Sequence, residues 1–291
     1  MDAETFPQPS DRYLQRDGLT LHYGEWGDPR RETLILVHGN RDQCRSWDFF
    51  LAALFAQGMP SFHAIALDLR GHGDSDWSLP TRGYQHEDFV LDLAGLVHHV
   101  RKDSVTLIGH SLGGSISMLF AGSFPTRVKK LVLIEAVGPH ARSDDEIPDL
   151  LARWLEGEAS QGENSFYPAL DDASGAIQKR FPLIPDGARA HMVRYGTKPT
   201  NQGYTWKYDP RVRFHSYSTF SEGQIRAFID RIQCPTLLIF GSEGGFVKSP
   251  RFSRVGLFKN GEVVQVPGSG HHLPHEKPVE LAEVIAPFLC P

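Results

Sequence analysis

The stretch Val105-Thr-Leu-Ile-Gly-His-Ser-Leu-Gly-Gly114 decides the fold. Its first four residues are apolar or β-branched, and such a short run predicts a strand buried inside a sheet. A Gly-x-Ser-x-Gly pattern follows at residues 109–113, and residues 115–121 favour a helix. A strand, a sharp turn and a helix around one serine predict that the Ser111 hydroxyl is exposed at the sheet edge as a nucleophile.

Further strand candidates flank this stretch and alternate with helical patterns. Residues 33–37 and 64–67 precede it, and residues 128–134, 235–240 and 262–266 follow it. A hairpin around an Asp-Gly turn is predicted near the amino terminus. This alternation predicts an α/β fold with a mostly parallel sheet and helices on both faces.

The segment 140–232 breaks the alternation. It holds helical patterns at 150–155 and 224–229 and many aromatic residues mixed with proline and glycine, but no clear strand. We interpret it as a helical cap inserted into a core domain that comprises residues 1–139 and 233–291.

The composition of the 291-residue chain narrows the range of partners. The net charge of −5, without a basic cluster interleaved with aromatics, predicts no nucleic-acid binding. No apolar run approaches ~18 residues, so no membrane span is expected. The three scattered cysteines and the lack of a secretory signal pattern at the amino terminus favour the cytoplasm. We expect a monomer or homodimer that acts on a small molecule.

A serine hydroxyl becomes a nucleophile only with a base, an acid that orients the base, and donors for the developing oxyanion. His271 follows the last predicted strand on a glycine-rich loop and is the candidate base; His272 is the alternative. The main-chain amides of Leu112, directly after the serine, and of Asn40, after the strand 33–37, are the candidate oxyanion donors. No cysteine or carboxylate cluster with ligand spacing accompanies the histidines, so no metal is predicted.

Four motifs spread over nearly the whole chain resemble the α/β-hydrolase fold superfamily. The doubled histidine at 271–272 and the Gly-Tyr-Thr-Trp at 203–206 make the chain most similar to its serine hydrolase-like branch. The resemblance implies an eight-stranded sheet, a cap over the carboxyl edge of the strands, and ester-type hydrolysis without a cofactor. It also implies that Arg70 and His72 brace their loop. The four motifs are His38-Gly39, Asp68-x-Arg70-Gly71-His72-Gly73-x-Ser75, Gly109-x-Ser111-x-Gly113 and Gly270-His271-x-x-x-x-Glu276-x-Pro278.

The position of the acid departs from the commonest pattern of this superfamily. Many members carry an aspartate three residues after the glycine that ends the penultimate strand, but here Gly241 is followed by Gly244 at that position. Glu243 is one residue off that register. Glu135 directly follows the strand 128–134, where the similar haloalkane dehalogenases carry a glutamate. A carboxylate at a buried strand end needs a partner, and an imidazole is a natural one. We therefore favour Glu135 as the acid, with Glu243 as the alternative.

These candidates predict a serine hydrolase, resembling a carboxylesterase, that cleaves an ester-type bond through an acyl-serine. Dehalogenases and epoxide hydrolases use a carboxylate nucleophile where this chain has Ser111. The aromatic residues of the cap indicate a small, largely apolar substrate, with Trp47, His110 and Trp206 as candidate contacts. The alternatives are a carbon–carbon bond hydrolase, a thioesterase, a lactonase, a lyase or a low-turnover ligand receptor.

Overall fold

An eight-stranded sheet forms the centre of the molecule in the computed structural model, which describes residues 8–57, 62–79, 84–156, 162–213 and 219–290. The strands are β1 (Ser10–Arg16), β2 (Leu19–Gly27), β3 (Thr33–Val37), β4 (His63–Leu67), β5 (Val105–His110), β6 (Val128–Ile134), β7 (Phe166–Tyr167), β8 (Thr197–Thr200), β9 (Gly203–Trp206), β10 (Thr236–Gly241) and β11 (Gly261–Val266). The helices are α1 (Asp48–Ala56), α2 (His86–His99), α3 (Leu112–Ser123), α4 (Ile147–Leu155), α5 (Leu170–Arg180), α6 (Asp186–Gly196), α7 (Glu222–Asp230), α8 (Leu273–Glu276) and α9 (Pro278–Leu289).

The order of the strands across the sheet is β1-β2-β4-β3-β5-β6-β10-β11. The predicted hairpin of β1 and β2 is antiparallel, as is the pair β2 and β4, and every other pair is parallel. The strands β3, β4 and β5 are buried along their whole length. Because both of their faces are covered, they appear in the sequence as apolar runs rather than as alternating patterns. The predicted α/β fold with an eight-stranded, mostly parallel sheet is confirmed.

Helices cover both faces of this sheet. The face that carries α2, α3 and α7 buries a large apolar cluster, and α1 and α9 bury a second cluster on the opposite face. Each large aliphatic or aromatic side chain that is fully buried in these clusters contributes ~2 kcal/mol of hydrophobic stabilisation. Among the described helices, none combines the length and apolar character that crossing a bilayer requires.

The inserted segment differs from the prediction in two ways. It contains a small antiparallel sheet, ordered β7-β9-β8, where we predicted no clear strand. Strands of two to four residues are too short to show an alternating pattern in the sequence. The last helix of the segment, α7, begins with the predicted Ser221 capping box but packs on α3 through Ile225 and Ile229 in the main core.

Candidate active site

Ser111 lies on a sharp turn between β5 and α3. Its backbone has φ 52° and ψ −112°, a strained conformation for a residue with a side chain. The Ser111 amide donates to the Ile134 carbonyl over 2.9 Å. A Cβ atom on Gly109 would come within 2.5 Å of the Gly113 carbonyl oxygen, and one on Gly113 would collide with the Val37 carbonyl. The two glycines of the motif are therefore required by backbone packing, and the predicted strand–turn–helix geometry is present.

His271 lies between Ser111 and Glu135. Its Nε2 atom is 3.0 Å from the Ser111 hydroxyl oxygen, and its Nδ1 atom is 3.1 Å from Glu135 Oε2. Because a carboxylate only accepts hydrogen bonds, the neutral ring carries its proton on Nδ1 and Nε2 can accept from the hydroxyl. The His271 side chain is 43% exposed, so part of the ring is open to solvent.

Glu135 is a buried carboxylate at the carboxyl end of β6. Its Oε1 atom accepts a hydrogen bond from the Gly241 amide over 2.8 Å, while Oε2 accepts from His271. Its backbone adopts φ 52°, and its amide donates to the Ile239 carbonyl over 2.8 Å. Both carboxylate oxygens thus have a partner, which offsets the cost of burial.

Gly244 stands where many members of the superfamily carry the aspartate. Because glycine has no side chain, the space next to the Glu135 carboxylate stays free. A Cβ atom on Gly244 would lie 3.2 Å from Glu135 Oε2 and 3.3 Å from Oε1. Glu243 is exposed, and its carboxylate accepts from the Ser242 hydroxyl over 3.1 Å. Of the two candidate acids, the structure brings Glu135 to His271.

Two buried side chains hold the loop that carries His271. Glu276 accepts hydrogen bonds from the amides of Gly270 and His272, the latter over 3.1 Å. The His110 Nε2–H group donates to the His271 carbonyl over 2.7 Å. Burial, followed by the electrostatic interaction with His271, lowers the pKa of His110 to about 3. The sequence motif includes Glu276, but the sequence alone did not predict that Glu276 braces this loop.

The two candidate oxyanion donors flank the nucleophile. Leu112 is the first residue of α3, and the first amides of a helix have no partner inside the helix. Gly39 packs against the serine: a Cβ atom there would lie 3.4 Å from Ser111 Cβ. Asn40 comes next, and its side-chain amide donates to the Val212 carbonyl over 3.1 Å. Among the described residues we find no protein acceptor for the main-chain amide of Leu112 or Asn40.

The predicted bracing residues Arg70 and His72, together with His38, hold the loops behind the site. His72 donates from Nδ1 to the Arg70 carbonyl over 3.0 Å. His38 donates from Nδ1 to the Gly39 carbonyl over 2.7 Å and accepts from the Leu69 amide over 3.1 Å. Arg70 forms a two-pronged ion pair with buried Asp92, with both contacts at 2.6 Å.

One group of three potential metal ligands occurs in the described part of the chain. His22, Cys44 and Asp68 are buried with ligand atoms within 4.8 Å of one another. Asp68 accepts hydrogen bonds from the His22 ring over 2.7 Å and from the Cys44 amide over 2.6 Å. These contacts give the group a role in holding the loop; that the protein uses no metal stays a prediction.

A cavity of about 380 Å³ opens beside Asn40, between the sheet edge and the inserted segment. Seven apolar or aromatic side chains of that segment line it: Tyr167, Ala176, Ile177, Phe181, Met192, Trp206 and Tyr208. Arg41, Arg180 and Arg213 also line it. The expectation of a largely apolar pocket therefore missed three guanidinium groups, which come together from distant parts of the chain only on folding.

Two of the three predicted substrate contacts are wrong. Trp47 is 1% exposed and packs edge-on against Phe50, with ring centroids 5.8 Å apart, because it precedes α1 and faces the core under that helix. His110 is 2% exposed and braces the His271 loop instead of lining the cavity. Trp206 lies in the cavity wall, and its contact with the substrate stays a prediction.

The chain is similar to known hydrolases and to a solved structure over most of its length. The chain is 29% identical over 278 residues to a probable serine hydrolase of Drosophila melanogaster, covering 91% of this chain and 82% of the relative. It is 26% identical over 282 residues to a bifunctional esterase/perhydrolase of Acinetobacter calcoaceticus, covering 93% and 94%. A crystal structure of a hypothetical protein from Pseudomonas aeruginosa superimposes with a TM-score of 0.86 at 26% identity, covering 96% and 98%.

The family match extends over most of the molecule. The sequence profile described as the alpha/beta hydrolase family matches residues 34–284, from β3 into α9. This range includes the serine turn, the strand end that carries Glu135 and the loop that carries His271. The predicted resemblance is confirmed, and the chain belongs to the alpha/beta hydrolase family.

Proposed function

We propose that this chain is a serine hydrolase that cleaves an ester-type bond through an acyl-serine intermediate, with residues 140–232 as its cap. One observation carries the proposal: the unbroken chain of contacts from the Ser111 hydroxyl through the two nitrogens of His271 to Glu135, at 3.0 and 3.1 Å. These are the distances over which a base accepts a proton and an acid orients the base. Relatives named as a probable serine hydrolase and as an esterase/perhydrolase support it.

The first half of the reaction acylates the enzyme. His271 Nε2 takes the proton of the Ser111 hydroxyl as the serine oxygen bonds to the acyl carbon. The negative charge that develops on the acyl oxygen is stabilised by the amides of Asn40 and Leu112. When the ester C–O bond breaks, the leaving alcohol receives the proton from His271.

The second half releases the acid. Water gives a proton to His271 Nε2 and attacks the acyl-serine carbon. The bond to the Ser111 oxygen then breaks, and that oxygen regains the proton from His271. Throughout, the Glu135 carboxylate keeps the Nδ1–H tautomer and stabilises the imidazolium that forms in each half.

Hydrolysis of 4-nitrophenyl butyrate by the purified protein tests the proposal. We expect the wild type to release nitrophenol and Ser111→Ala to lose activity by about 10⁴-fold or more. Ser123→Ala serves as the control, because Ser123 lies at the far end of α3 and its hydroxyl donates to the Leu119 carbonyl. Full activity in folded Ser111→Ala protein would refute the proposal.

A further inference from the structure

We propose that the cavity beside Asn40 binds an acidic oxygen group of the substrate, a carboxylate or a phosphate, through Arg41, Arg180 and Arg213. The inference rests on the proposed ester hydrolysis and specifies its substrate class as esters that carry an acid group. It starts from the three guanidinium groups in the cavity wall, which the proposed acylation and deacylation steps do not use.

Arg41 is the most isolated of the three cations among the described residues. It is half-buried, directly follows Asn40, and has a left-handed backbone with φ 63°. Burial, followed by the charges of Arg180 and Arg213, lowers the pKa of Arg41. Among the described residues we find no carboxylate paired with its guanidinium. A half-buried cation that faces two others is unfavourable unless an anion joins them.

The cavity wall does not neutralise these charges itself. Asp42 is the one carboxylate among its described lining residues. Asp42 Oδ2 is 3.1 Å from the His275 ring nitrogen, and Oδ1 accepts from the Gln43 amide over 3.0 Å and from the Ser46 hydroxyl. Both oxygens are therefore engaged away from the arginines, and the cavity keeps an excess of positive charge.

The other two arginines have structural roles as well. Arg213 donates to the Glu163 carbonyl over 3.0 Å and to the Asn164 side-chain oxygen over 2.8 Å, so its guanidinium is held in place. Arg180 ends α5, where a cation also complements the helix dipole, and stacks 5.2 Å from the Phe181 ring. Arg41 has no such explanation, so the test is centred on Arg41.

The chemistry of the guanidinium groups and their position beside Asn40 indicate which ligand the cavity binds. A guanidinium presents a planar fork of donors that matches the two oxygens of a carboxylate or phosphate. Asn40 lines the same cavity and directly follows Gly39, which packs against Ser111. An acid group bound there would leave the ester carbonyl of one molecule within reach of Ser111, while the apolar wall accommodates the intervening chain.

Two matched pairs of esters test whether the enzyme prefers a substrate that carries an acid group. One compares 4-nitrophenyl hemiglutarate with 4-nitrophenyl 5-methylhexanoate, in which an isopropyl group replaces the carboxylate. The other places the difference on the leaving group, with 4-carboxyphenyl and 4-isopropylphenyl butyrate. We expect the acidic member of at least one pair to have the higher kcat/KM, and the advantage to shrink as ionic strength rises. No preference in either pair, in an enzyme that hydrolyses the neutral esters, overturns the inference and leaves the proposed function intact.

Arg41→Met links the preference to this cavity. We expect it to lower the ratio of acidic to neutral kcat/KM by about tenfold or more, the loss of one charge-assisted contact. Arg31→Met removes the same charge from the amino end of β3, at the opposite edge of the sheet from Asn40, and should leave the ratio unchanged. Equal ratios in Arg41→Met and wild type would contradict the assignment.

A binding measurement on an inactive variant tests the site without catalysis. It also distinguishes a carboxylate ligand from a phosphate ligand. Ser111→Ala protein is titrated with glutarate and, separately, with inorganic phosphate by calorimetry. Binding of either that is lost in the Ser111→Ala/Arg41→Met double variant supports the inference even if no ester is turned over, and the tighter ligand identifies the acid group. Binding of neither overturns it.

Discussion

His271 is held at three points, and this determines how the site works at the scale of single residues. Its Nδ1 faces Glu135, its Nε2 faces Ser111, and its carbonyl accepts from His110. The ring thus has a fixed tautomer and orientation while its side chain remains 43% exposed to solvent. A base that is oriented in advance and remains accessible is suited to proton transfer in both halves of a hydrolytic cycle.

Glu135→Gln should reduce kcat by about 10²–10⁴-fold, because the amide no longer fixes the Nδ1–H tautomer or stabilises the imidazolium. Glu243→Gln is the matched control, since that carboxylate is exposed and bonded to Ser242. Steady-state hydrolysis of 4-nitrophenyl butyrate measures both. An inactive Glu243→Gln beside an active Glu135→Gln would move the acid to residue 243.

At this scale, the sequence predicts residues whose role depends on their immediate neighbours. Ser111 is a candidate nucleophile because of its flanking glycines, and Glu135 is a candidate acid because of its place at a strand end. The substrate contacts predicted for Trp47 and His110 are wrong, because the direction of a side chain depends on tertiary packing. Arg41, Arg180 and Arg213 are far apart in the chain, and nothing local in the sequence shows that they share a cavity.

The ends of two neighbouring strands, β6 and β10, can each supply the carboxylate that contacts His271. The strands β6 and β10 pair in parallel, so their carboxyl ends meet, and either can supply a carboxylate to the same imidazole. Glu135, at the end of β6, places its carboxylate next to the imidazole. Gly244, in the loop after β10, has no side chain and leaves room for that carboxylate. Under the proposed function, the acid can therefore come from either strand end while the site keeps its geometry.

The double variant Glu135→Ala/Gly244→Asp should recover part of the activity that Glu135→Ala loses. Gly244 has φ −69° and ψ 144°, which any residue adopts, and its Cβ direction points at the Glu135 carboxylate. We expect the double variant to exceed Glu135→Ala by about tenfold or more in kcat. Gly244→Asp alone should be impaired, because two carboxylates would crowd one space. No gain in a folded double variant would contradict the claim that either strand end can supply the acid.

Elements were predictable from the sequence where they are long or fully buried. The apolar runs of β3, β5 and β6 and the serine turn between β5 and α3 required no tertiary information. The short strands β7 to β9 show no pattern, and the packing of α7 on α3 depends on contacts between distant residues such as Gly122 and Phe228.

For the whole molecule, buried histidines make stability depend on pH. Burial, then the electrostatic interaction with His38, lowers the pKa of His72 to about 3, and the pKa of His110 is lowered to about 3 as well. In the unfolded chain both titrate near ~6.5. Below that pH the unfolded chain binds protons that the folded protein does not, so the free energy of unfolding falls as the pH falls from about 6.5 towards 3.

Melting temperatures between pH 7 and pH 5 measure this effect above the range where most carboxylates titrate. We expect the melting temperature of the wild type to fall across this range and the slope to be shallower in His72→Gln. The exposed His98 lies on α2, and His98→Gln should leave the slope as it is in the wild type. An equal slope in His72→Gln and wild type would contradict the assignment.

Covalent labelling tests the central claim, that Ser111 is made nucleophilic by His271, most directly. The folded protein is incubated with a fluorophosphonate, digested and analysed by mass spectrometry. We predict one adduct on the peptide that contains Ser111, greatly slowed in His271→Ala and absent in Ser111→Ala. An unlabelled Ser111 in folded wild-type protein, or labelling that proceeds equally fast without His271, would contradict the account.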